Sequence, residues 1–319
     1  MVALVGGRNL LFFDQIGSFL PPMLEHCQLA GWNATHANGE LQASFIDRQD
    51  ILWFCWGDQM VAHVLRRPWK GTVVVHTRSY EVYQSWYPKL PWDQVDWLVF
   101  DAPHVRDVAL DRVPALKDKP IGMMILGVDP AVYTVRDKAD SPQGNHCACV
   151  GRLVEPKNIQ AVVDLAYQLP DYLFHLKGPV GDQRLERFIH YHIEQGRTNI
   201  YYHPPGAPDA QGQFRGQQWY TGEGVHALLK KCDFILSPSF HEGVHLALLE
   251  GVSTGLQPVA QDRPGLVVPG EFAYKTLQEA AHQIRHPVAW SPDDYHDWVV
   301  EHRSLRVQHD RMDEILENL

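Results

Sequence analysis

The chain has 319 residues, of which 45% are hydrophobic, 21% charged and 11% aromatic, the composition of an ordinary globular protein. These values exclude disordered and fibrous proteins. The formal charge of −10 excludes the basic surface expected of a general nucleic-acid binder. At roughly 100–200 residues per domain, the length favours two domains.

Cysteine usage and hydropathy predict a cytoplasmic protein. The five cysteines are odd in number and contain no CxxC pair, which fits neither a disulfide scaffold nor a zinc finger. No apolar stretch approaches the roughly 18 residues that span a bilayer, and no basic region precedes Met1–Val5. The basic group Arg66, Arg67 and Lys70 is interpreted as a solvated face, with a peripheral membrane contact as the alternative.

Continuous apolar runs in the first half predict buried parallel strands, because half-exposed strands alternate between apolar and polar residues. The predicted strands are Val2–Val5, Ile51–Phe54, Thr72–Val75, Trp97–Phe100 and Met123–Leu126. The polar segment Asp137–His146 that follows predicts a linker.

The pattern restarts after this linker. Strands are predicted at Cys147–Val150, Tyr172–Leu176, Asn199–Tyr202, Phe234–Leu236 and Pro258–Ala260, and helices at Ile159–Leu169 and Val225–Cys232. Alternating strands and helices predict an α/β fold of two Rossmann-like, doubly wound parallel sheets facing a cleft. We expect domains at residues 1–140 and 141–290, and a closing helix at 291–319 that packs back on the first domain.

Two cations stand on the turn after the first strand of the second domain. The segment runs Val150-Gly151-Arg152-Leu153-Val154-Glu155-Pro156-Lys157-Asn158 and opens a predicted helix. A guanidinium, an ammonium and the free N–H groups of a helix start can converge on a diphosphate. This turn is therefore a candidate phosphate-binding site.

A second polar segment follows another strand of the same domain. A strand ends near Pro238, a tight loop carries Glu242 and Gly243, and a short helix carrying Glu250 ends near Gly255. One carboxylate in the loop and another on the helix can bind two ends of one extended polar ligand.

These two segments, with the run Gly255-Leu256-Gln257-Pro258-Val259-Ala260, resemble the donor domain of retaining nucleotide-sugar glycosyltransferases of the GT-B fold, family-four type. The resemblance covers nearly the whole second domain, and the order and spacing of its motifs make it specific. The first domain resembles the acceptor half through Gly6-Gly7, the segment Val75–Glu81 and the run Gly127-Val128-Asp129-Pro130.

The resemblance also implies site residues. Arg152 and Lys157 match the cationic pair that neutralises the leaving diphosphate. Glu242 matches the carboxylate facing the donor sugar, and Glu250 matches the one that binds the ribose hydroxyls. His76 matches a histidine near the reacting sugar. The donor-binding set implied in this way is Gly6, Gly7, Gly243, Val244, His245, Leu246 and Glu250.

The implied reaction moves a sugar from a nucleotide-diphosphate sugar of UDP, GDP or ADP type to a hydroxyl of a carbohydrate or another acceptor. Cations and helix amides would stabilise the leaving diphosphate electrostatically. No metal or other cofactor is implied, in agreement with the absence of an Asp-x-Asp motif. Retention, in which the departing phosphate takes the acceptor proton, follows from the resemblance alone.

Two motifs point to other enzymes. The run His241-Glu242-Gly243-Val244-His245 fits H-E-x-x-H, a zinc peptidase pattern that needs both histidines on one helical face. Pro238 and Gly243 disfavour a helix there, so a zinc peptidase remains only an alternative. The run Gly251-Val252-Ser253-Thr254-Gly255 fits G-x-S-x-G, but a nucleophile elbow joins a strand to a following helix. Here the helix precedes the serine.

Two further alternatives stay open. The family more often has glycine at the position of His245 and asparagine at that of Leu126, which leaves a non-catalytic sugar-nucleotide-binding subunit as a rival. A transferase acting on DNA bases is the other, and the net negative charge of the acceptor half argues against it. We expect no nucleic-acid partner.

Overall fold

The computed structural model describes residues 7–15, 17, 19–39, 41–137, 144–196, 199–203, 223–268 and 270–319. The chain divides into two compact units. Unit 1 comprises Met1–Leu126 and Leu305–Leu319, and unit 2 comprises Gly127–Ser304. The sequence analysis expected the domain boundaries at residues 140 and 290, whereas the two compact units meet at residues 126 and 304.

Unit 1 contains a sheet of six parallel strands. They are β1 Asn9–Phe13, β2 Asn33–Ala37, β3 Ile51–Phe54, β4 Thr72–Thr77, β5 Trp97–Phe100 and β6 Ile121–Met123, in the order β2-β1-β3-β4-β5-β6. The helices between them are α1 Leu20–Leu29, α2 Ala43–Ile46, α3 Gln59–Val64 and α4 Pro103–Arg112. The inner strands are buried almost throughout, as expected where helices cover both faces of a parallel sheet.

The start of unit 1 differs from the predicted one. The run Val2–Val5 lies outside the described residues, and the first described strand is Asn9–Phe13, which pairs with β2 and β3. The strand Asn33–Ala37 was not predicted, because it lies at the edge of the sheet and has polar residues among its alanines. The last strand begins at Ile121 rather than at Met123.

Unit 2 repeats the architecture. Its strands are β7 His146–Val150, β8 Leu173–Lys177, β9 Ile200–His203, β10 Phe234–Ser237, β11 Gln257–Gln261 and β12 Ala273–Tyr274, in the order β12-β11-β10-β7-β8-β9. Its helices are α5 Ile159–Gln168, α6 Gln183–Glu194, α7 Glu223–Lys230, α8 Leu246–Ser253, α9 Leu277–Arg285 and α10 Pro292–His302. All described strand pairs of both sheets are parallel.

Alternate strand residues of unit 2 pack into two apolar cores on opposite faces of the sheet. Phe234 and Leu236 lie in one core, whereas Ile235 lies in the other, because successive side chains of a strand point to opposite faces. The two ends of the unit lie side by side. The Val128 amide donates to the Arg303 carbonyl over 2.8 Å.

Three histidines on neighbouring strands of unit 2 form a chain of hydrogen bonds. Nδ1 of His146 lies 2.9 Å from Nε2 of His175, and Nδ1 of His175 lies 2.9 Å from Nε2 of His203. Burial, together with the neighbouring His146 and His203, lowers the pKa of His175 to about 4. His175 is therefore neutral at pH 7.

The closing segment forms two helices. The helix α10 ends at His302, and α11, Leu305–Leu316, belongs to unit 1. A Cβ on Gly122 of β6 would lie 2.8 Å from Ile315 Cγ1, so this glycine permits the close contact. None of the described helices combines the length and apolarity that a bilayer crossing needs.

Candidate functional site

The candidate site lies at the carboxyl edge of the unit 2 sheet. β7 and β10 are neighbours in the sheet and run parallel. The turn after Val150 and the loop after Ser237 therefore leave the sheet at the same edge, where such sheets bind ligands. The strand, loop and helix bounds expected around Glu242 and Glu250 agree with those of β10 and α8.

An ion pair connects the two predicted segments. Lys157 Nζ and Glu242 Oε1 are in direct contact, and Ser239 Oγ donates to the same carboxylate oxygen over 2.8 Å. Burial opposes ionisation of Glu242, but His245, Lys157 and the hydrogen bonds lower its pKa to about 2. The lysine and the glutamate are thus both charged and hold each other in place.

His245 is a structural member of the same loop. Its Nε2 donates to the Val150 carbonyl over 3.3 Å, so its Nδ1 accepts from the Ser237 hydroxyl over 2.7 Å. Burial and the nearby Lys157 lower its pKa to about 3. Arg263, after β11, donates to Ser237 Oγ over 2.9 Å and thereby orients this hydroxyl. The histidine is therefore neutral, and its two hydrogen bonds connect the ends of β7 and β10.

Arg152 and Glu250 both line one recess. The recess is lined by Val150, Gly151, Arg152, Lys177, Gly178, Pro179, Val225 and Glu250. Arg152 is exposed and, within the described part of the chain, forms no ion pair or hydrogen bond. A guanidinium without a partner and a buried carboxyl thus share one concave surface.

Glu250 is a buried residue in the lining of this recess. The residue is 9% exposed, and its side chain accepts a hydrogen bond from the Tyr133 hydroxyl. Burial raises the pKa of Glu250 to about 7, although the Tyr133 hydrogen bond lowers it. The group can therefore exchange a proton near neutral pH.

Glycine at two positions lets the loops after β7 and β8 touch. Both Gly151 and Gly178 have φ of +137°, which side chains disfavour. A Cβ on Gly178 would lie 2.1 Å from the Gly151 carbonyl oxygen. The Gly151 amide donates to the Lys177 carbonyl over 3.0 Å. This contact brings Lys177 into the recess. Residues 204–222, which follow β9, lie outside the described residues.

The start of α8 faces the same edge. His245 occupies the N-cap position, and its side chain makes no hydrogen bond to the first turn. Gly243, Val244 and Leu246 are the predicted donor-binding residues at this start. Gly243 is buried, and the other two are half-buried. Backbone N–H groups at a helix start carry partial positive charge and favour anions.

The H-E-x-x-H and G-x-S-x-G motifs form neither a zinc peptidase site nor a nucleophile elbow. His241 and His245 lie in the loop before α8, not on a helix. Among the described residues, no group of three His, Cys, Asp or Glu side chains could hold a metal ion. Ser253 ends α8 before β11 and donates to the Tyr133 carbonyl over 2.8 Å. The zinc peptidase and serine hydrolase interpretations therefore lack their geometry in the described chain.

In unit 1, His76 lies at the end of β4 and is completely buried. Its Nε2 is 2.6 Å from Asp101 Oδ1, and Arg78 Nη1 is 3.2 Å from Asp101 Oδ2. Burial lowers the pKa of His76 more than Asp101 raises it. The neutral imidazole therefore donates from Nε2, while its Nδ1 has no partner in the described part of the chain.

Gly7 is the described member of the glycine pair expected after the first strand. Gly6 lies outside the described residues, and Gly7 precedes β1 with φ of +97°. The first described strand begins at Asn9, so Gly7 lies at the amino end of β1, and its donor-binding role stays a prediction. The loop at the carboxyl edge instead carries Gly17, whose amide donates to Asp14 Oδ1 over 3.0 Å.

Tyr133 and Arg263 were missed by the sequence analysis. Each acts on a residue that is remote along the chain, Glu250 and Ser237 respectively. No local spacing marks such pairs. The nearest sequence feature is the run Gly127-Val128-Asp129-Pro130, which begins the segment that carries Tyr133.

No protein-family model matches the sequence, and no curated protein matches it. Solved structures match in fold. Sucrose-phosphate synthase from Thermosynechococcus elongatus has a TM-score of 0.75 at 13% identity, over 98% of this chain and 99% of that chain. Anabaena HepE, in complex with UDP and glucose, has a TM-score of 0.73 at 14% identity, over 98% and 100%.

A third match is a trehalose-6-phosphate structure from E. coli bound with UDP-2-fluoro glucose, with a TM-score of 0.68 at 12% identity over 96% of this chain and 98% of that chain. The chain has the GT-B fold. The predicted α/β architecture of two doubly wound parallel sheets is thereby confirmed. At such low sequence identity, similarity to GT-B structures establishes the fold alone. The roles of the site residues therefore have to be argued from their geometry and tested by experiment.

Proposed function

We propose that this protein is a glycosyltransferase whose unit 2 binds a nucleotide-diphosphate sugar and transfers its sugar to an acceptor hydroxyl. The observation that carries the proposal is the shared recess of Arg152 and Glu250, beside the Lys157–Glu242 pair and the start of α8. A cation, a buried carboxyl and helix amides together match the phosphates and hydroxyls of such a donor. The UDP complexes of two fold relatives support the same ligand class.

Each side chain has a proposed task. Glu250 accepts hydrogen bonds from the ribose hydroxyls. Arg152, Lys157 and the amides of Gly243–Leu246 stabilise the diphosphate. Glu242 holds Lys157 and faces the donor sugar. His76 stays a predicted catalytic residue, and its buried Nδ1 is the atom left for a further contact.

The proposed chemistry is electrostatic, retaining and independent of metal. The bond from the sugar C1 to the diphosphate oxygen breaks, and a bond from C1 to the acceptor oxygen forms on the same face. The acceptor proton moves to the departing phosphate, so no protein base is needed. Arg152 and Lys157 stabilise the charge that develops on the leaving group, where preorganised donors act most strongly.

A thermal-shift panel of UDP-, GDP- and ADP-sugars tests the donor class. A ligand at 100 times its Kd stabilises the folded state by about 2.7 kcal/mol, which raises Tm by several degrees. We expect one nucleotide class to give this shift, and UDP-sugars are favoured by the fold relatives. A panel without any shift would contradict the proposal.

Transfer or hydrolysis of the bound donor by the isolated chain separates an enzyme from the non-catalytic alternative. We expect turnover that a chelator leaves unchanged, because the proposed stabilising groups are side chains and amides of the protein. Loss of activity with EDTA, restored by a divalent cation, would overturn metal independence. The five free, buried thiols support the further proposal of a reducing, cytoplasmic location.

A further inference from the structure

Glu250 is an unusual group to find at the wall of a ligand recess. It is buried, and among the described residues it belongs to no ion pair, although Arg152 and Lys177 line the same recess. An ionised carboxylate loses its hydration on burial, so burial without a cationic partner favours the neutral carboxylic acid. The surroundings of Glu250 in the folded chain thus favour its neutral form, which hydrogen bonds from hydroxyl donors would disfavour.

Tyr133 reaches Glu250 from the segment that precedes β7. This segment is fastened to the end of α8, because Ser253 Oγ donates to the Tyr133 carbonyl over 2.8 Å and the Arg136 amide donates to the Thr254 carbonyl over 3.0 Å. Glu250 and Ser253 are three residues apart and therefore share one face of the helix. The main chain of the Tyr133 segment is thus anchored to the end of the helix that carries Glu250.

We propose that Tyr133 is a positioning residue for Glu250, and that binding of a nucleotide sugar in this recess releases the proton which Glu250 holds when the recess is empty. The inference rests on the proposed function, because the ribose hydroxyls of the donor are the groups that would drive the release.

The proton balance is simple. In the empty recess, one carboxyl oxygen accepts from the Tyr133 hydroxyl, and the carboxyl carries its own proton. Two ribose hydroxyls then donate to the carboxylate, the carboxyl proton passes to solvent, and Tyr133 keeps its proton. Hydrogen bonds to the charged form lower the pKa of a carboxyl. The raised pKa of Glu250, about 7 in the empty site, places this exchange at physiological pH.

Other titratable groups surround the pair. Arg152 and Lys177 extend from the loops after β7 and β8. His226 of α7 meets the Tyr133 ring edge at 5.7 Å between centroids, and Nδ1 of His296 on α10 contacts the Ser253 carbonyl at 2.6 Å. The test must therefore remove the Glu250 proton and leave these neighbouring groups in place.

Calorimetric titration with UDP-glucose between pH 5.5 and 8.5 provides that test. Both phosphates of this probe are esterified and do not titrate in this range. We expect its affinity to be constant above pH 7 and to fall about tenfold per pH unit below it. In buffers of different ionisation enthalpy at pH 7, binding should release about half a proton. In Glu250→Gln, the slope and the proton release should both disappear.

Tyr133→Phe keeps the ring and removes the donor, so Glu250 should hold its proton more tightly. We expect the midpoint of the affinity profile to move up by about one pH unit. A merely structural loss would lower affinity without moving the midpoint. The matched control is Tyr295→Phe, because Tyr295 lies in the same apolar core but donates to Gln257. Its profile should have the wild-type midpoint.

The outcomes separate the two proposals. Absence of UDP-glucose binding to the wild-type protein at every pH would overturn both for this donor. Binding with the same affinity and no proton release from pH 5.5 to 8.5 would overturn only the present inference. A slope that persists in Glu250→Gln would show that the proton belongs to another group and would also overturn the present inference. An unmoved midpoint in Tyr133→Phe would remove the positioning role.

Discussion

Arg152 and Lys157 stand on one turn but lie in different surroundings. Lys157 is paired with Glu242, whereas Arg152 is exposed and has no partner among the described residues. The free guanidinium is available to an incoming anion without breaking any contact. The lysine instead has to be shared between the carboxylate and the anion, so the two cations should respond differently to replacement.

Arg152→Ala should weaken nucleotide-sugar binding at least about tenfold, the loss of one charge-assisted contact, with Tm unchanged. Lys157→Ala should weaken binding and also lower stability by about 2 kcal/mol, because it leaves Glu242 without its cation. Calorimetric affinity and Tm, measured on both variants, check the contrast. Arg184→Ala is the control, since this exposed arginine pairs with Asp182 at the surface. Unchanged affinity in Arg152→Ala would remove its phosphate assignment.

At the scale of elements, the recess depends on the contact between the loops after β7 and β8. Gly178→Ala should strain a backbone at φ of +137° and also press a methyl group on the Gly151 carbonyl. Gly196→Ala is the matched control, because its φ of +82° is also positive but its Cβ would meet nothing within 4 Å. The control variant Gly196→Ala should lose about 1 kcal/mol of unfolding free energy.

We expect a larger loss in Gly178→Ala, together with weaker nucleotide-sugar binding. Urea unfolding followed by circular dichroism measures the first effect, and calorimetry measures the second. Equal losses in the two variants would mean that backbone strain alone matters and that the loops do not need their close approach.

The elements also show what a sequence can and cannot predict. Ile51–Phe54 and Phe234–Ser237 were predicted within a residue because they are continuous apolar runs between helices. Asn33–Ala37 was missed because an edge strand needs no such run. Glu242 and Glu250 were singled out from their spacing along one loop and helix, and their roles stay predictions. The partner of Glu250, Tyr133, depends on contacts between remote segments, which no local pattern records.

At the scale of the whole molecule, several buried histidines connect stability to pH. Burial lowers the pKa of His175 to about 4 and that of His245 to about 3. The unfolded chain binds these protons near the ordinary histidine pKa of about 6.5. Below that pH the unfolded state holds more protons than the folded state, so each such histidine lowers stability as the pH falls.

His175→Gln should therefore be less sensitive to acid than the wild-type protein. The variant loses hydrogen bonds at pH 7.5, where His175 is neutral in both states, and should unfold at a lower temperature. Between pH 6.5 and 4 the wild-type protein loses the stability linked to this proton and the variant does not. The difference in Tm should shrink across this range. A constant difference would show that His175 titrates normally in the folded chain.

Unit 2 is an insertion in the sequence of unit 1, and its two ends are adjacent, because the Val128 amide donates to the Arg303 carbonyl. A polypeptide of residues 127–304 would have termini that meet, which favours excision of the segment as a separate module. The short distance between these termini also favours circular permutation of the segment. A few linking residues would join the original termini, and new termini could be placed at an exposed turn. Recombination at the two ends of this segment, which are close in space, could therefore insert, remove or exchange it as one unit.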